Sequence, residues 1–183
     1  MALRSTIFKF ALDVADIDRG YYATHALTVA RHPSETDERM MIRVLAFALH
    51  ASETLEFGKG LSSDEEPALW DRDLTGRITH WIEVGLPDER VLRRACGRAD
   101  RVTLYAYGNE RAVGLWWEPF EALLKKQTKL EVFSVAPASA GALAKMADRS
   151  ASLQVVIQDG DVWIGNDEDR WQLEMRSLQR REE

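Results

Sequence analysis

The chain has 183 residues, 45% of them hydrophobic and 30% charged, which is ordinary globular usage and too rich in core-forming residues for a disordered segment. Its net charge of −6 argues against strong non-specific binding of nucleic acid over the whole surface, because such binding depends on neutralising phosphates, but leaves room for a local basic face. No apolar stretch approaches a membrane span, residues 1–12 lack the long apolar region of a secretory signal, and the one cysteine, Cys96, excludes an internal disulfide, so a soluble cytoplasmic protein without membrane contact is expected.

No repeat, low-complexity tract or Gly/Ser linker breaks the chain, and residues 1–183 read as a single domain. Residues 6–14 alternate Phe8, Phe10, Leu12 and Val14 against Ile7, Lys9, Ala11 and Asp13, the period of a strand. A turn through residues 16–20 and a second strand over 22–30 complete an N-terminal hairpin. His32-Pro33-Ser34 stops that strand, and Ser34 is the expected N-cap of a helix running to about Ser52, with Asp37 nearly completing a capping box. On this helix Met41, Ile42, Val44, Leu45, Ala48 and Leu49 share one arc, with Arg39, Arg43 and His50 opposite. A short extended segment at 55–59 and an acidic loop at 62–66 follow.

One or two strands are expected between Trp70 and Gly85, the clearest at 78–85, which is apolar on both faces as a buried central strand should be. Then come a helix (88–97), a strand (101–107), a helix from about Asn109 that Pro119 interrupts, a strand (130–136) and a helix (138–147). Strands alternating with helices imply parallel neighbours. Residues 153–157, a Gln158-Asp159-Gly160 turn and residues 162–164 form a C-terminal hairpin. One more strand over 171–175 and a frayed tail at 179–183 close the chain. The fold class is therefore α/β with a mixed sheet flanked by helices.

Several chemistries lack their sequence signatures. There is no phosphate-binding glycine loop, Gly58-Lys59-Gly60 being only a turn signal, no dinucleotide fingerprint and no G-x-S-x-G nucleophile turn. His25, His32, His50 and His80 show no metal-ligand spacing and read as surface or hydrogen-bonding histidines. Cys96, beside Ala95 and Ala99, reads as a small core residue.

Two carboxylates occupy positions that the pattern marks as buried. Glu38 projects into the apolar arc of the first helix, and Glu83 interrupts the central strand at Trp81-Ile82-Glu83-Val84. A lone ionised carboxylate in a low-dielectric interior is costly, so each needs a cation, a metal ion or strong hydrogen bonds. One reading has both lining a cleft that holds a divalent cation. The other has Arg31 or another basic side chain pairing with them. Asp73, with Asp71 beside it, would lie near Glu83 if residues 70–73 return antiparallel to the central strand. After the strand, Arg90, Arg93, Arg94 and Arg98 fall on one helix face, opposite Leu92, Ala95 and Ala99. This is either a phosphate-binding stripe or a solvated amphipathic face.

The stretches TIFK (6–9), VADIDR (14–19), ARHPSETDERMM (30–41), EPALW (66–70) and WIEVGLPDE (81–89), with Trp116-Trp117 and Gln158-Asp159-Gly160, are similar to the YaeQ family over nearly the whole length. The resemblance implies a compact variant of the restriction-endonuclease-like PD-(D/E)XK nuclease fold. It also implies a divalent-metal-dependent nuclease or phosphodiesterase acting on nucleic acid with Mg²⁺ as cofactor, or a non-catalytic descendant that binds nucleic acid or a protein partner in a regulatory role. Carried over by position, Glu83 resembles the (D/E) of the motif, Asp73 the preceding Asp (Glu66 or Asp71 could replace it) and Glu38 the helix glutamate, with Asp73 and Glu83 as metal ligands. The sequence departs from the superfamily at Gly85, where the catalytic lysine is expected. Lys9 is then the best substitute by pattern, on a small or apolar face with Ile7 and Ala11, and Arg31 and Lys59 are others. The plainer reading of Lys9 is an ion pair to Asp13 or Glu38, or an edge-strand lysine that discourages aggregation.

Overall fold

Every second residue from Phe8 to Val14 is apolar, so a strand there is stable only with one face covered. In the computed structural model, which describes residues 4–59, 61 and 65–182, this segment is β1 (Thr6–Asp16). It pairs antiparallel with β2 (Tyr21–Arg31), Phe10 opposite Leu27 and Phe8 opposite Val29. Phe8, Phe10, Leu12 and Val14 are buried as the alternation requires. The chain continues as α1 (Asp37–His50), β3 (Glu56–Phe57), β4 (Leu69–Arg72), β5 (Ile78–Val84), α2 (Glu89–Arg98), β6 (Ala99–Tyr107) and α3 (Glu110–Leu124). Then follow β7 (Leu130–Val135), α4 (Pro137–Lys145), β8 (Ser150–Gln158), β9 (Asp161–Gly165), β10 (Arg170–Leu173) and β11 (Met175–Gln179). None of the described helices is long and apolar enough to cross a membrane.

The strands form two mixed sheets where the sequence implied one, and the chain divides into two compact units. The first, Met1–Ala51 with Ala138–Glu174, holds the sheet β10-β9-β8-β1-β2 together with α1 and nearly all of α4. The second, Ser52–Pro137 with Met175–Glu183, holds the sheet β11-β7-β6-β5-β4-β3 with α2 and α3. No change of composition marks these boundaries, because each unit is completed by a segment distant in sequence. The expected parallel run is present as β5-β6-β7, and β1 and β8 are parallel as well. The expected C-terminal hairpin is β8–β9, whose turn places Asp159 and Gly160 at φ +53° and +80°. Asp18 accepts both turn amides, at 2.7 and 3.0 Å.

Three local expectations are corrected. The N-cap of α1 is Thr36, which accepts from the Arg39 N–H at 3.1 Å, while Ser34 bonds the His32 ring instead. Pro119 lies inside a continuous α3 rather than dividing it. The tail is anchored rather than frayed as far as Glu182. Gln179 is buried on β11 and its amide donates to the carbonyls of Leu124, Gln127 and Leu130 at 2.9–3.3 Å, and the Glu182 N–H reaches the Thr128 carbonyl at 3.0 Å. Residues 62–64 of the acidic loop, Gly60 and Glu183 lie outside the described residues.

The largest departure is at α1. Met40 to Ala48 is buried throughout, so Arg43, assigned by periodicity to a polar face, is buried too. It is satisfied by Glu35, itself buried, through Nε at 2.8 Å and Nη2 at 2.7 Å, and it also donates to the Ala30 carbonyl at 2.9 Å. Arg39 Nη1 reaches the same carboxylate at 2.8 Å and the His32 N–H reaches it at 3.2 Å. Burial lowers the Arg43 pKa and the Glu35 charge opposes that shift. Removing one member of a buried pair strands the other, at a cost of about 3–5 kcal/mol. Glu35→Ala is therefore expected to lower the urea midpoint far more than Glu38→Ala, and equal midpoints for the two variants would contradict the assignment.

Candidate functional site

Glu83 sits near the end of β5, half-buried. One face of β5 carries Thr79, Trp81 and Glu83, and the Trp81 indole N–H donates to Glu83 Oε1 at 2.8 Å. A charge-assisted bond of this kind offsets part of the desolvation of a half-buried carboxylate. Trp81 is fully buried, meets Trp70 edge-on at 6.2 Å and has the Arg98 guanidinium 5.3 Å over its ring. The carboxylate thus stands at the rim of the core formed by Trp81, Leu92, Val102, Leu104 and Trp117.

Asp73 does not join it. β4 is antiparallel to β5, as expected, but the register pairs Trp70 with Trp81 and closes the connection through Asp73 N–H to the Arg77 carbonyl at 3.0 Å. That places Asp73 before the start of β5 and leaves Glu83 about 20 Å further along, at ~3.3 Å per residue. The Asp73 carboxylate organises its own turn, accepting the Thr75 hydroxyl at 2.6 Å and the amides of Thr75 and Arg77 at 2.8 and 3.1 Å. The Thr75 hydroxyl is the largest of the contributions that hold its pKa below the usual carboxylate range.

Glu38 and Lys9 belong to the other unit. Glu38 is half-buried in the first turn of α1, and Arg31, offered as its partner, bonds Asp37 instead. Lys9 is exposed on the open face of β1, paired neither with Asp13, whose carboxylate takes the Thr24 hydroxyl, nor with Glu38. Among the described residues, no three His, Cys, Asp or Glu side chains gather closely enough to hold a metal ion. With Asp73 committed to its turn and displaced along β5 from Glu83, the donor set does not fit Mg²⁺, which needs oxygen ligands at roughly 2.0–2.1 Å from one centre.

The arginine face of α2 takes its expected form. Arg90, Arg93, Arg94 and Arg98 are exposed, while Leu92, Ala95 and Cys96 are buried, and burial pushes the Cys96 thiol up to about 11. Arg93 pairs with Glu89 at 3.2 Å and Arg98 with Glu65 at 3.7 Å. Gly85, just before this helix, has φ +114° and donates its N–H to the Tyr105 carbonyl at 2.9 Å.

The YaeQ protein family model matches residues 1–175. The chain belongs to the YaeQ family. It is 42% identical to the uncharacterized YaeQ protein of Salmonella typhi and 41% to that of Escherichia coli K12, over 98% of each chain in both cases. Among solved structures it is similar to YaeQ of Xanthomonas axonopodis pv. citri, with TM-score 0.91, 42% identity and 96% of this chain against 98% of that one. YaeQ of Pseudomonas syringae gives TM-score 0.91 and 39% identity, with 96% of both chains covered.

One polar constellation in this YaeQ fold escaped the sequence reading. On the other face of β5 and β6, His80 Nε2 lies 2.8 Å from Thr103 Oγ1, whose hydroxyl donates to Glu131 Oε1 at 2.6 Å. The threonine must then accept from His80, which fixes the neutral Nε2–H tautomer. Arg101 completes the set on Glu131 with bonds of 2.5 and 3.1 Å. Burial, followed by the charges of Arg101 and Arg181, pushes the His80 pKa down to about 3. An unfolded histidine titrates near ~6.5, so between those values the unfolded chain binds the extra proton. Stability from this residue is complete above about pH 6.5 and falls as the pH drops towards 3. Urea denaturation at pH 7.5 and pH 5 is expected to show a smaller loss for His80→Gln than for the wild type.

Proposed function

We propose that this protein is a non-catalytic relative of the PD-(D/E)XK nucleases that binds nucleic acid along the arginine face of α2. The observation that carries this reading is the exposure of Arg90, Arg93, Arg94 and Arg98 on one side of a helix that starts soon after Glu83. Planar guanidinium groups spaced along a helix suit phosphate oxygens, and such contacts bind without reading sequence. A local face of this kind is compatible with a net charge of −6, because only the charges within about a Debye length of the bound phosphates act strongly on them.

The non-catalytic half of this reading has its own support. A magnesium site on the ligands the resemblance implies would need Asp73 beside Glu83, and Asp73 is tied into its own turn. The position where the superfamily carries its lysine is Gly85, whose φ of +114° is one that L side chains rarely adopt. Restoring the lysine there would strain the strand end, by roughly 1–3 kcal/mol.

Fluorescence anisotropy with single- and double-stranded oligonucleotides across a salt series tests the reading. Arg90→Glu with Arg94→Glu is expected to weaken binding and to reduce the salt slope by about one for each phosphate that is no longer neutralised. Binding indifferent to both substitutions would remove the arginine face. Cleavage of DNA or RNA in the presence of Mg²⁺ or Mn²⁺, abolished in Glu83→Ala, would restore the catalytic reading.

A further inference from the structure

The open face of the first sheet carries a cavity of about 740 Å³ that the nucleic-acid reading does not use. Strand register builds its floor. Lys9 on β1 lies between Thr28 on β2 and Ser150 on β8, and in the next row Ala11 lies between Ala26 and Ser152. All six side chains are exposed. The second row is made of short side chains, so it forms a depression beside the lysine. The walls come from the α4–β8 connection, with Lys145 and Asp148, and from the β9–β10 turn, with Asn166, Asp167 and Glu168. The turn is held by the Asn166 carboxamide, whose oxygen accepts the amides of Glu168 and Asp169 at 2.9 and 2.7 Å.

The charges in this cavity are separated rather than paired. Neither Lys9 nor Lys145 forms an ion pair with Asp148, Asp167 or Glu168, and the hydroxyls of Thr28, Ser150 and Ser152 make no hydrogen bond within the described residues. Lys9 is flanked by a hydroxyl on each neighbouring strand, with Cβ atoms about 5 Å apart, an arrangement that donates three ways to one carboxylate. The acidic turn lies beyond β8, next to β9, which is two strand spacings or about 9.5 Å across the sheet from Lys9. Lys9 and the acidic turn therefore face a ligand from opposite ends, while Lys145 and Asp148 stand on the wall that leads into β8. Between them are hydroxyls and small side chains, which suit peptide groups better than a bulky apolar body.

We propose that the cavity binds a short peptide or peptide-like zwitterion, its carboxylate at Lys9, Thr28 and Ser150 and its ammonium group at Asp167 and Glu168. Three extended residues span at most ~10 Å, which matches the distance between the two charged ends. The proposal is independent of the arginine face of α2, which belongs to the other compact unit.

Triglycine is the probe, alongside its N-acetyl form, which lacks the cation, and its C-terminal amide, which lacks the anion. In a ¹⁵N-resolved NMR titration of the full chain, triglycine is expected to give saturable shifts at the amides of Ser150, Ser152 and Glu168. Each blocked form should bind more weakly, by about fivefold or more. Lys9→Met should bind triglycine and its amide equally, and Asp167→Asn with Glu168→Gln should bind triglycine and the N-acetyl form equally. These side chains are exposed, and unchanged thermal melts would establish that the variants fold. Absence of saturable shifts, or wild-type preferences that survive in both variants, would overturn the proposal.

Discussion

The carboxylate of Glu35 fixes how the first unit is assembled. It lies between the end of β2 and the start of α1, and it is bonded by both Arg39 and Arg43. Arg43 in turn holds the Ala30 carbonyl at the end of β2. A guanidinium in the middle of a helix that is buried from Met40 to Ala48 is tolerable only with such a partner. The pair therefore specifies where the strand must stop and at what height the helix must start. Hydrophobic burial along α1 is non-directional and would accept several positions of the helix over β1 and β2. The fork of Arg43 accepts one.

Much of the fold was legible because its periods are clean. The alternation in β1, the helix starts near Asp88 and Asn109 and the turn at Gln158–Gly160 are local signals, and each element lies where they place it. The division into two units was not legible. It depends on β8 joining β1 and on β11 joining β7, and pairings between distant segments leave no local mark in a single sequence. The N-cap at Thr36 rather than Ser34 follows from the same region. His32 and Ser34 satisfy each other, which leaves the helix to begin two residues later.

The candidate site was legible in part, for reasons that differ residue by residue. Glu83 was visible as a carboxylate in an apolar strand, and it is half-buried with an indole partner. Arg90, Arg93, Arg94 and Arg98 were visible from helical spacing and are exposed together. The pairing of Glu35 with Arg43 was not legible because helical periodicity implies an amphipathic α1, whereas its middle is buried all round. The spacing of Glu35, Arg39 and Arg43, four residues apart each time, was the available signal. His80, Thr103 and Glu131 come from three different strands, and only the register of β5, β6 and β7 brings them into line.

The interleaving of the two units also dictates an order of events during synthesis. Residues 52–137 are contiguous and hold β3 to β7, so most of the second sheet can form while the rest of the chain is still emerging. The first unit cannot. Arg149 donates to the Ile7 carbonyl across 142 residues of sequence, and β1 has no neighbour on its β8 side until that segment is made. The N-terminal hairpin must therefore wait with the long edge of β1 unpaired as well as that of β2, which stays an edge in the finished sheet, the condition most prone to pairing with another chain. Lys9 and Asp13 place charged side chains along β1, where they discourage such pairing until β8 arrives.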